Sequence, residues 1–259
     1  MPEFQHGKAR LHYTIDGDPK APPIVLLHAL GVHASMWAPQ VAAWRDTWRV
    51  LAPDARGHGR SAVSGAPVSI ELLAQDVLAV LDEVGVARAS VCGLSMGGAV
   101  AIWLARHHPE RVERLVLCNT LAKFGSRAAW DERIASVARA GLAPLVEPIM
   151  ARWFAPAYRA AQPASVARIA QMLAECSPAG YAACCGAVRD ADLGADLPAL
   201  GQPTLVIGGI HDTSTPPAEV RALAQAIPGA RYCELDAAHL SNWAVPAEFN
   251  RAVAAFLSG

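Results

Sequence analysis

Residues 89–105 read Ala-Ser-Val-Cys-Gly-Leu-Ser-Met-Gly-Gly-Ala-Val-Ala-Ile-Trp-Leu-Ala: a short apolar run, then Gly93-Leu94-Ser95-Met96-Gly97, then a second apolar run of helical length. That order predicts a strand, a sharp turn and a helix, with Ser95 at the apex. A serine on so tight a turn sits in strained backbone, and Cβ atoms at positions 93 and 97 would collide with neighbouring backbone, so both are glycine. The turn lifts the Ser95 hydroxyl clear of both elements. It also leaves the Met96 N–H in the first turn of the helix, without a partner inside that helix and at its positive dipole end, where an oxyanion can be received.

Outward from this turn the chain alternates strand and helix. Residues 24–27 are four consecutive apolar residues after Pro22-Pro23, the pattern of a central strand buried on both faces. They lead into His28-Ala29-Leu30-Gly31-Val32-His33, a loop at the carboxyl end of a strand, where open α/β sheets place their chemistry. Residues 10–15 alternate apolar and polar and close in Asp16-Gly17-Asp18-Pro19, which predicts an edge strand. A short helix is expected over 36–44 and a strand over 48–51. Asp54-Ala55-Arg56-Gly57-His58-Gly59-Arg60-Ser61 then forms a tight turn that Asp54 and Arg56 can brace. A histidine between two turn glycines reads as structural, and His58 is assigned that role. Ser69 is placed to cap a helix over 70–84 that Gly85 ends. His107-His108 at a helix end suits the dipole and solvent rather than a metal. Another strand covers 114–119, and the alternation so far argues for a parallel sheet with helices on both faces.

From Leu121 to about Arg189 no buried strand is legible, while alanine-rich helical segments alternate with prolines at 144, 148, 156, 163 and 178. This predicts core segments over 1–120 and 191–259 and an inserted helical cap over 121–190. Its aromatic and cationic side chains, Phe124, Trp130, Trp153, Phe154, Tyr158, Lys123, Arg127, Arg133 and Arg189, are candidates to line a pocket over the sheet. Trp130 is favoured because Gly125-Ser126 supplies a mobile entrance just before it. Strands resume over 203–208 and 230–235, with helices over 217–227 and 246–257.

The 259 residues are 53% hydrophobic and 17% charged, enough for one large core and a smaller subdomain. A formal net charge of −1 offers no basic field for nucleic acid or an anionic membrane, though a small anionic substrate can still be met by a few local cations. The uncharged run 89–105 is too short for a membrane span and is interrupted by Gly93, Ser95, Gly97 and Gly98. Residues 1–7 have no basic start and no apolar signal core, so a cytoplasmic location is expected. Six cysteines without a C-x-x-C spacing read as reduced buried thiols, and neither a metal nor a cofactor is expected.

Ser95, Asp212 and His239 each lie just beyond the carboxyl end of an expected strand, in the chain order nucleophile, acid, histidine. Parallel strands bring all three loops to one edge. Acyl transfer needs this: a serine hydroxyl is a poor nucleophile until a hydrogen-bonded imidazole accepts its proton, and a carboxylate holds that imidazole in the useful tautomer. Asp236 and Asp190 compete for the acid role, but neither follows a strand with room to reach His239. Leu30 is the natural second oxyanion donor beside Met96, through backbone N–H groups.

These segments, Gly93-Leu-Ser-Met-Gly97, the turn from Asp54 to Ser61, the stretch 208–212 and His239, resemble the α/β-hydrolase fold family across nearly the whole chain. The resemblance implies an α/β fold with an eight-stranded, mostly parallel sheet and a helical cap after the sixth strand. Within that family, His28-Ala-Leu-Gly31, Cys92-Gly-Leu-Ser-Met-Gly-Gly98 and Ala237-Ala-His-Leu-Ser-Asn242 look most like 3-oxoadipate enol-lactonases of aromatic catabolism. Many relatives carry His-Gly where this chain has His28-Ala29, and Gly where it has Ala238; Ala29 keeps the backbone donor but alters the pocket's shape. The resemblance implies a carboxylic ester hydrolase in which Ser95 attacks the lactone carbonyl, an enolate departs and tautomerises, and His239 protonates it and then activates water. The substrate carboxylate calls for a cap cation, Arg133, Lys123 or Arg189, with Trp130 and the Leu240 loop shaping the pocket. A general carboxylesterase and a carbon–carbon bond hydrolase of ring-cleavage products use the same residues and remain alternatives, whereas a dehalogenase or epoxide hydrolase wants a carboxylate where Ser95 stands. A monomer or weak homo-oligomer is expected.

Overall fold

Eight strands form one sheet in a computed structural model of the chain, which describes residues 2–7, 9–63 and 67–259. They are β1 (Glu3–His6), β2 (Ala9–Asp16), β3 (Pro23–Leu27), β4 (Arg49–Pro53), β5 (Ala89–Leu94), β6 (Val112–Cys118), β7 (Thr204–Gly209) and β8 (Arg231–Leu235), in the order β1-β2-β4-β3-β5-β6-β7-β8. β1 with β2 and β2 with β4 are antiparallel, and every other pairing is parallel. All six residues of β5 and all six of β7 are buried. Successive side chains in a strand point to opposite faces, so burial without alternation means that both faces are covered.

The strand expected at the edge over 10–15 is instead second from the edge. β1 pairs outside it, with Phe4 opposite Leu11 and its ring against Tyr13. Glu3-Phe4-Gln5-His6 has a single apolar residue, too little pattern to announce a strand, and its pairing is settled by the longer β2 beside it.

Eleven helices are α1 (Ala38–Trp44), α2 (Ile70–Glu83), α3 (Met96–His107), α4 (Arg127–Ala140), α5 (Ala143–Trp153), α6 (Pro156–Ala161), α7 (Pro163–Glu175), α8 (Pro178–Asp190), α9 (Pro217–Ala226), α10 (Ser241–Ala244) and α11 (Pro246–Ser258) among the described residues. Ser69 caps α2, accepting the Leu72 N–H at 3.1 Å. α3 packs against β3, β5 and β6, with α2 beside it. The helices α4 to α8 lie between β6 and β7 in the chain, and the prolines 144, 156, 163 and 178 stand in the first turns of α5 to α8, where the missing N–H costs nothing. Pro148 lies inside α5. Among the described residues no helix is long and apolar enough to cross a membrane, no cluster of His, Cys, Asp or Glu could hold a metal ion, and all six cysteines are free.

Candidate active site

The turn between β5 and α3 holds Ser95 at φ 56° and ψ −117°, a left-handed conformation that a residue with a side chain adopts only when its surroundings impose it. Those surroundings are glycine. A Cβ on Gly93 would stand 2.2 Å from the Gly97 carbonyl oxygen, and one on Gly97 would stand 2.2 Å from that of Leu27. The elbow therefore forms only where both positions lack side chains.

β7 ends at Gly209, and Asp212 follows it, buried to 3% exposure. His239 follows β8 and is equally buried. His239 Nδ1 lies 2.8 Å from Asp212 Oδ2. An imidazole nitrogen against a carboxylate carries the ring's proton, which leaves Nε2 as the acceptor. Asp212 Oδ1 accepts the N–H groups of Ser214 (2.8 Å) and Thr215 (3.1 Å), while Oδ2 also accepts the Thr215 hydroxyl (2.5 Å) and the Asn119 amide (2.9 Å). Burial alone pushes the Asp212 carboxyl up. The charge of His239 and the hydrogen bonds from His239, Thr215 and Asn119 outweigh it and hold the group down at about 2, so it is ionised throughout the neutral range.

The loop after β3 is pinned on both sides of Leu30. The Ala29 N–H meets Met36 Sδ at 3.4 Å, and the Gly31 N–H donates to His58 Nε2 at 3.0 Å. His28 Nδ1 donates to the Ala29 carbonyl and its Nε2 accepts the Ala55 N–H, each at 2.8 Å. Below this loop, Asp54 accepts from the Ala34 N–H and the Arg60 N–H, and Arg56 forms a two-pronged ion pair with Asp76. His58 thus binds backbone, in the structural role the sequence suggests.

Leu30, Ser95, Met96 and His239 meet at a cavity of about 160 Å³. Segments between β6 and β7 close over it with Phe124, Trp130, Arg133, Ile149, Arg152, Trp153, Tyr181 and Val188. The Trp153 ring lies 6.2 Å from that of His239. The Arg133 guanidinium stacks over Trp130, 4.8 Å from the ring centroid, and Trp130 Nε1 donates to the Phe124 carbonyl at 2.7 Å. Burial and the charge of Arg133 both lower the Arg152 pKa, and its buried Nε has no hydrogen-bond partner. Neither arginine forms an ion pair with a carboxylate among the described residues.

A family model described as alpha/beta hydrolase fold matches residues 22–244, which hold the elbow and the loops of Asp212 and His239. The chain belongs to that family. It is 37% identical over 247 residues to 3-oxoadipate enol-lactonase 2 of Acinetobacter baylyi, covering 95% of this chain and 92% of that one. The crystal structure of the enol-lactonase from Burkholderia xenovorans LB400 superposes with a TM-score of 0.98 at 43% identity over the full length of both chains. A thermophilic esterase from Thermogutta terrifontis gives 0.92 at 31% identity, covering 96% of this chain and 93% of that one. These relatives put this α/β-hydrolase among the carboxylic ester hydrolases.

The fold brings Ser95, Met96, Leu30, His239, Trp130 and Arg133 to one cavity, with Asp212 directly behind His239. It does not bring Lys123, Arg189 or Leu240 there. Lys123 pairs with Asp192 and Arg189 with Asp131 and Asp190, on the outer side of the helices. Leu240 is fully buried, and its N–H donates to the Trp153 carbonyl. The rival acids do not line the cavity and are engaged elsewhere: Asp236 pairs with His211, and Asp190 with Arg127 and Arg189. The sequence patterns above do not single out Arg152, Tyr181 or Asn119 as site residues. Ile149, Arg152 and Trp153 share one helical face at spacings of three and four, the signal that could have added Arg152 to Trp153.

Proposed function

We propose that this α/β-hydrolase opens 3-oxoadipate enol-lactone to 3-oxoadipate through an acyl-enzyme, as one step of aromatic catabolism, with residues 121–190 acting as the cap over the site. The observation that carries the reading is the pair Arg133 and Arg152, cations without a carboxylate partner, on the wall of the same cavity as Ser95 and His239. Two half-buried cations without a carboxylate partner leave this part of the cavity positively charged, and a lactone bearing a carboxylate is a ligand that compensates it. The enol-lactonase names of the relatives support the same substrate class.

In this mechanism His239 Nε2 takes the Ser95 proton as Oγ attacks the lactone carbonyl. Asp212 stabilises the imidazolium that forms. The tetrahedral oxyanion is received by the backbone N–H groups of Leu30 and Met96, the latter at the N-terminus of α3. Collapse expels the ring oxygen as an enolate, a good leaving group, which His239 protonates and which tautomerises to the ketone. His239 then removes a proton from water, which attacks the acyl-enzyme and releases the diacid. Ring opening keeps both carboxyl-bearing halves in one molecule, so both cations can hold the product until deacylation is complete.

The test is kcat/KM for the enol-lactone beside a neutral nitrophenyl ester. Preference for the lactone by about two orders of magnitude or more is expected, since a charge-assisted hydrogen bond contributes about 1.5–3 kcal/mol and two are available. Comparable values for both substrates would replace the lactonase reading with a general esterase.

A further inference from the structure

The carboxyl end of β6 carries no residue of the proposed machinery, yet three segments of that machinery converge on it. We propose that Cys118-Asn119-Thr120 is a positioning unit that locks the nucleophile, the acid and the histidine loop into one register, with the Asn119 carboxamide as its centre. The proposal rests on the reading of Ser95, Asp212 and His239 as the reacting groups.

Asn119 is fully buried and has φ 45°; among the described residues it and Ser95 are the non-glycine residues with positive φ. A left-handed conformation is unfavourable for most side chains and least so for Asn and Asp, so its presence here needs a compensating set of contacts. The Asn119 Nδ2 amide donates one hydrogen to Asp212 Oδ2 at 2.9 Å and the other towards the Ala238 carbonyl at 3.3 Å, immediately before His239. Asn119 Oδ1 accepts the Ser241 hydroxyl at 2.6 Å. That bond fixes the orientation of the amide, because a flipped group would set its oxygen against a carboxylate and a carbonyl. The Asn119 N–H donates to the Ile207 carbonyl on β7 at 2.8 Å.

The flanking residues hold the elbow. The Ser95 N–H donates to the Cys118 carbonyl at 3.0 Å, and the Thr120 hydroxyl donates to the Ser95 carbonyl at 2.7 Å. Both polar groups of the strained Ser95 backbone are thus fixed by residues adjacent to Asn119. The positive φ at Asn119 is the hinge of this arrangement: it turns the chain sharply at the strand end, so that residue 119 meets the acid and histidine loops while residues 118 and 120 meet the nucleophile.

Asn119 also acts on the chemistry through Asp212. A carboxylate that gives part of its charge to an amide donor holds an imidazolium less tightly than one without that donor. Removing the donor therefore strengthens the attraction between the Asp212 carboxylate and the imidazolium. Asp212 and His239 face one another here, and the other charged groups at the cavity are the guanidinium groups of Arg133 and Arg152, so the acidic limb of the rate profile reports this pair.

The experiment compares wild type, Asn119→Gly, Asn119→Asp, Thr120→Val and Thr120→Ser by pH-dependent kinetics and by Ser95 labelling with a serine-directed phosphonate. Glycine accepts the positive φ while deleting the amide, so the variant adds no backbone strain at that position. In Asn119→Gly the acidic limb of kcat/KM should move up by about half a pH unit or more, with kcat down about tenfold and KM within about twofold. Asn119→Asp should move the limb further, because a second carboxylate then faces the pair. Thr120→Val should lower kcat without moving the limb, and Thr120→Ser should restore it. Limbs of both Asn119 variants that coincide with wild type, while Ser95 is still labelled, would overturn the proposal alone. Absence of labelling at Ser95 in wild type would remove the reading of the triad and the proposal with it.

Discussion

His58 Nε2 accepts the Gly31 N–H at 3.0 Å, so a buried, neutral imidazole fixes the backbone next to Leu30. Burial and the neighbouring His28 push the His58 pKa from 6.5 down to about 3, and burial lowers that of His28 as well. A protonated ring could not accept either N–H. His58 is depressed in the folded state, so between about pH 6.5 and pH 3 the unfolded chain binds a proton on this ring that the folded chain does not, and His28 acts in the same direction. Stability is therefore complete above about 6.5 and falls as pH drops, by up to about 1.4 kcal/mol per pH unit for each histidine. Denaturant unfolding from pH 7.5 to 4.5 should show this slope, and His58→Gln should flatten it. An unchanged slope in that variant would show that His58 is not the group responsible.

The same hydrogen bond bears on rate. His58→Ala leaves the Gly31 N–H without its acceptor and frees the loop that presents the Leu30 N–H. Losing an oxyanion donor outright costs about 10²–10³ in kcat, and loosening one should cost less, about tenfold to a hundredfold, with KM nearly unchanged. A loss confined to KM would remove the loop from the oxyanion role.

Asp212→Asn tests the tautomer. The amide keeps the shape of the carboxylate but can donate to His239 Nδ1, moving the ring proton to Nε2, where it faces Ser95 and cannot accept. A fall in kcat of about 10⁴ is expected with the melting temperature little changed. A loss of only a few-fold would move the acid role elsewhere.

What the sequence disclosed and what it withheld divide along the range of the interactions involved. The elbow is legible because its requirement is local: Gly93 and Gly97 would collide with backbone only a few residues away or on the adjoining β3. Asp212 is legible because it follows the apolar strand β7, and His239 because it comes after β8 in the chain order nucleophile, acid, histidine. The inward face of the cap helices is not. α4 packs on α8, and that packing turns Arg133 inward while Lys123 and Arg189 find carboxylates outside, a result of long-range contacts that spacing cannot encode. Asn119 is the extreme case. It reads as the end of a strand, and its importance exists only once the loops after β7 and β8 have arrived beside it.

Gly97→Ala should be far more damaging than a typical surface substitution. The added Cβ would meet the Leu27 carbonyl oxygen at 2.2 Å, a backbone atom, with no flexible side chain to yield. Overpacking of a core costs about 1–3 kcal/mol when neighbours can shift, and here the cost should reach the upper end or beyond. Soluble yield and thermal unfolding measure it, and a variant with wild-type stability and activity would mean that the elbow tolerates a displacement of α3.

Arg133 and Arg152 should act on substrate choice rather than on chemistry. Both guanidinium groups stand on the cavity wall before any ligand arrives, and Arg133 is also stacked on Trp130, so little ordering is needed on binding. Replacing either by Ala should raise KM for the anionic lactone by about tenfold or more, the worth of one charge-assisted hydrogen bond, and leave KM for a neutral ester within about twofold. Lys123→Ala and Arg189→Ala should change neither, because their charges are spent on exposed ion pairs with Asp192, Asp131 and Asp190. Arg133→Lys separates charge from shape: the ammonium keeps the attraction but loses the planar stack on Trp130, so it should recover part of the lactone affinity and not all of it. Equal losses for the lactone and the neutral ester in the Ala variants would mean that the two arginines support the cavity wall and do not bind the substrate carboxylate.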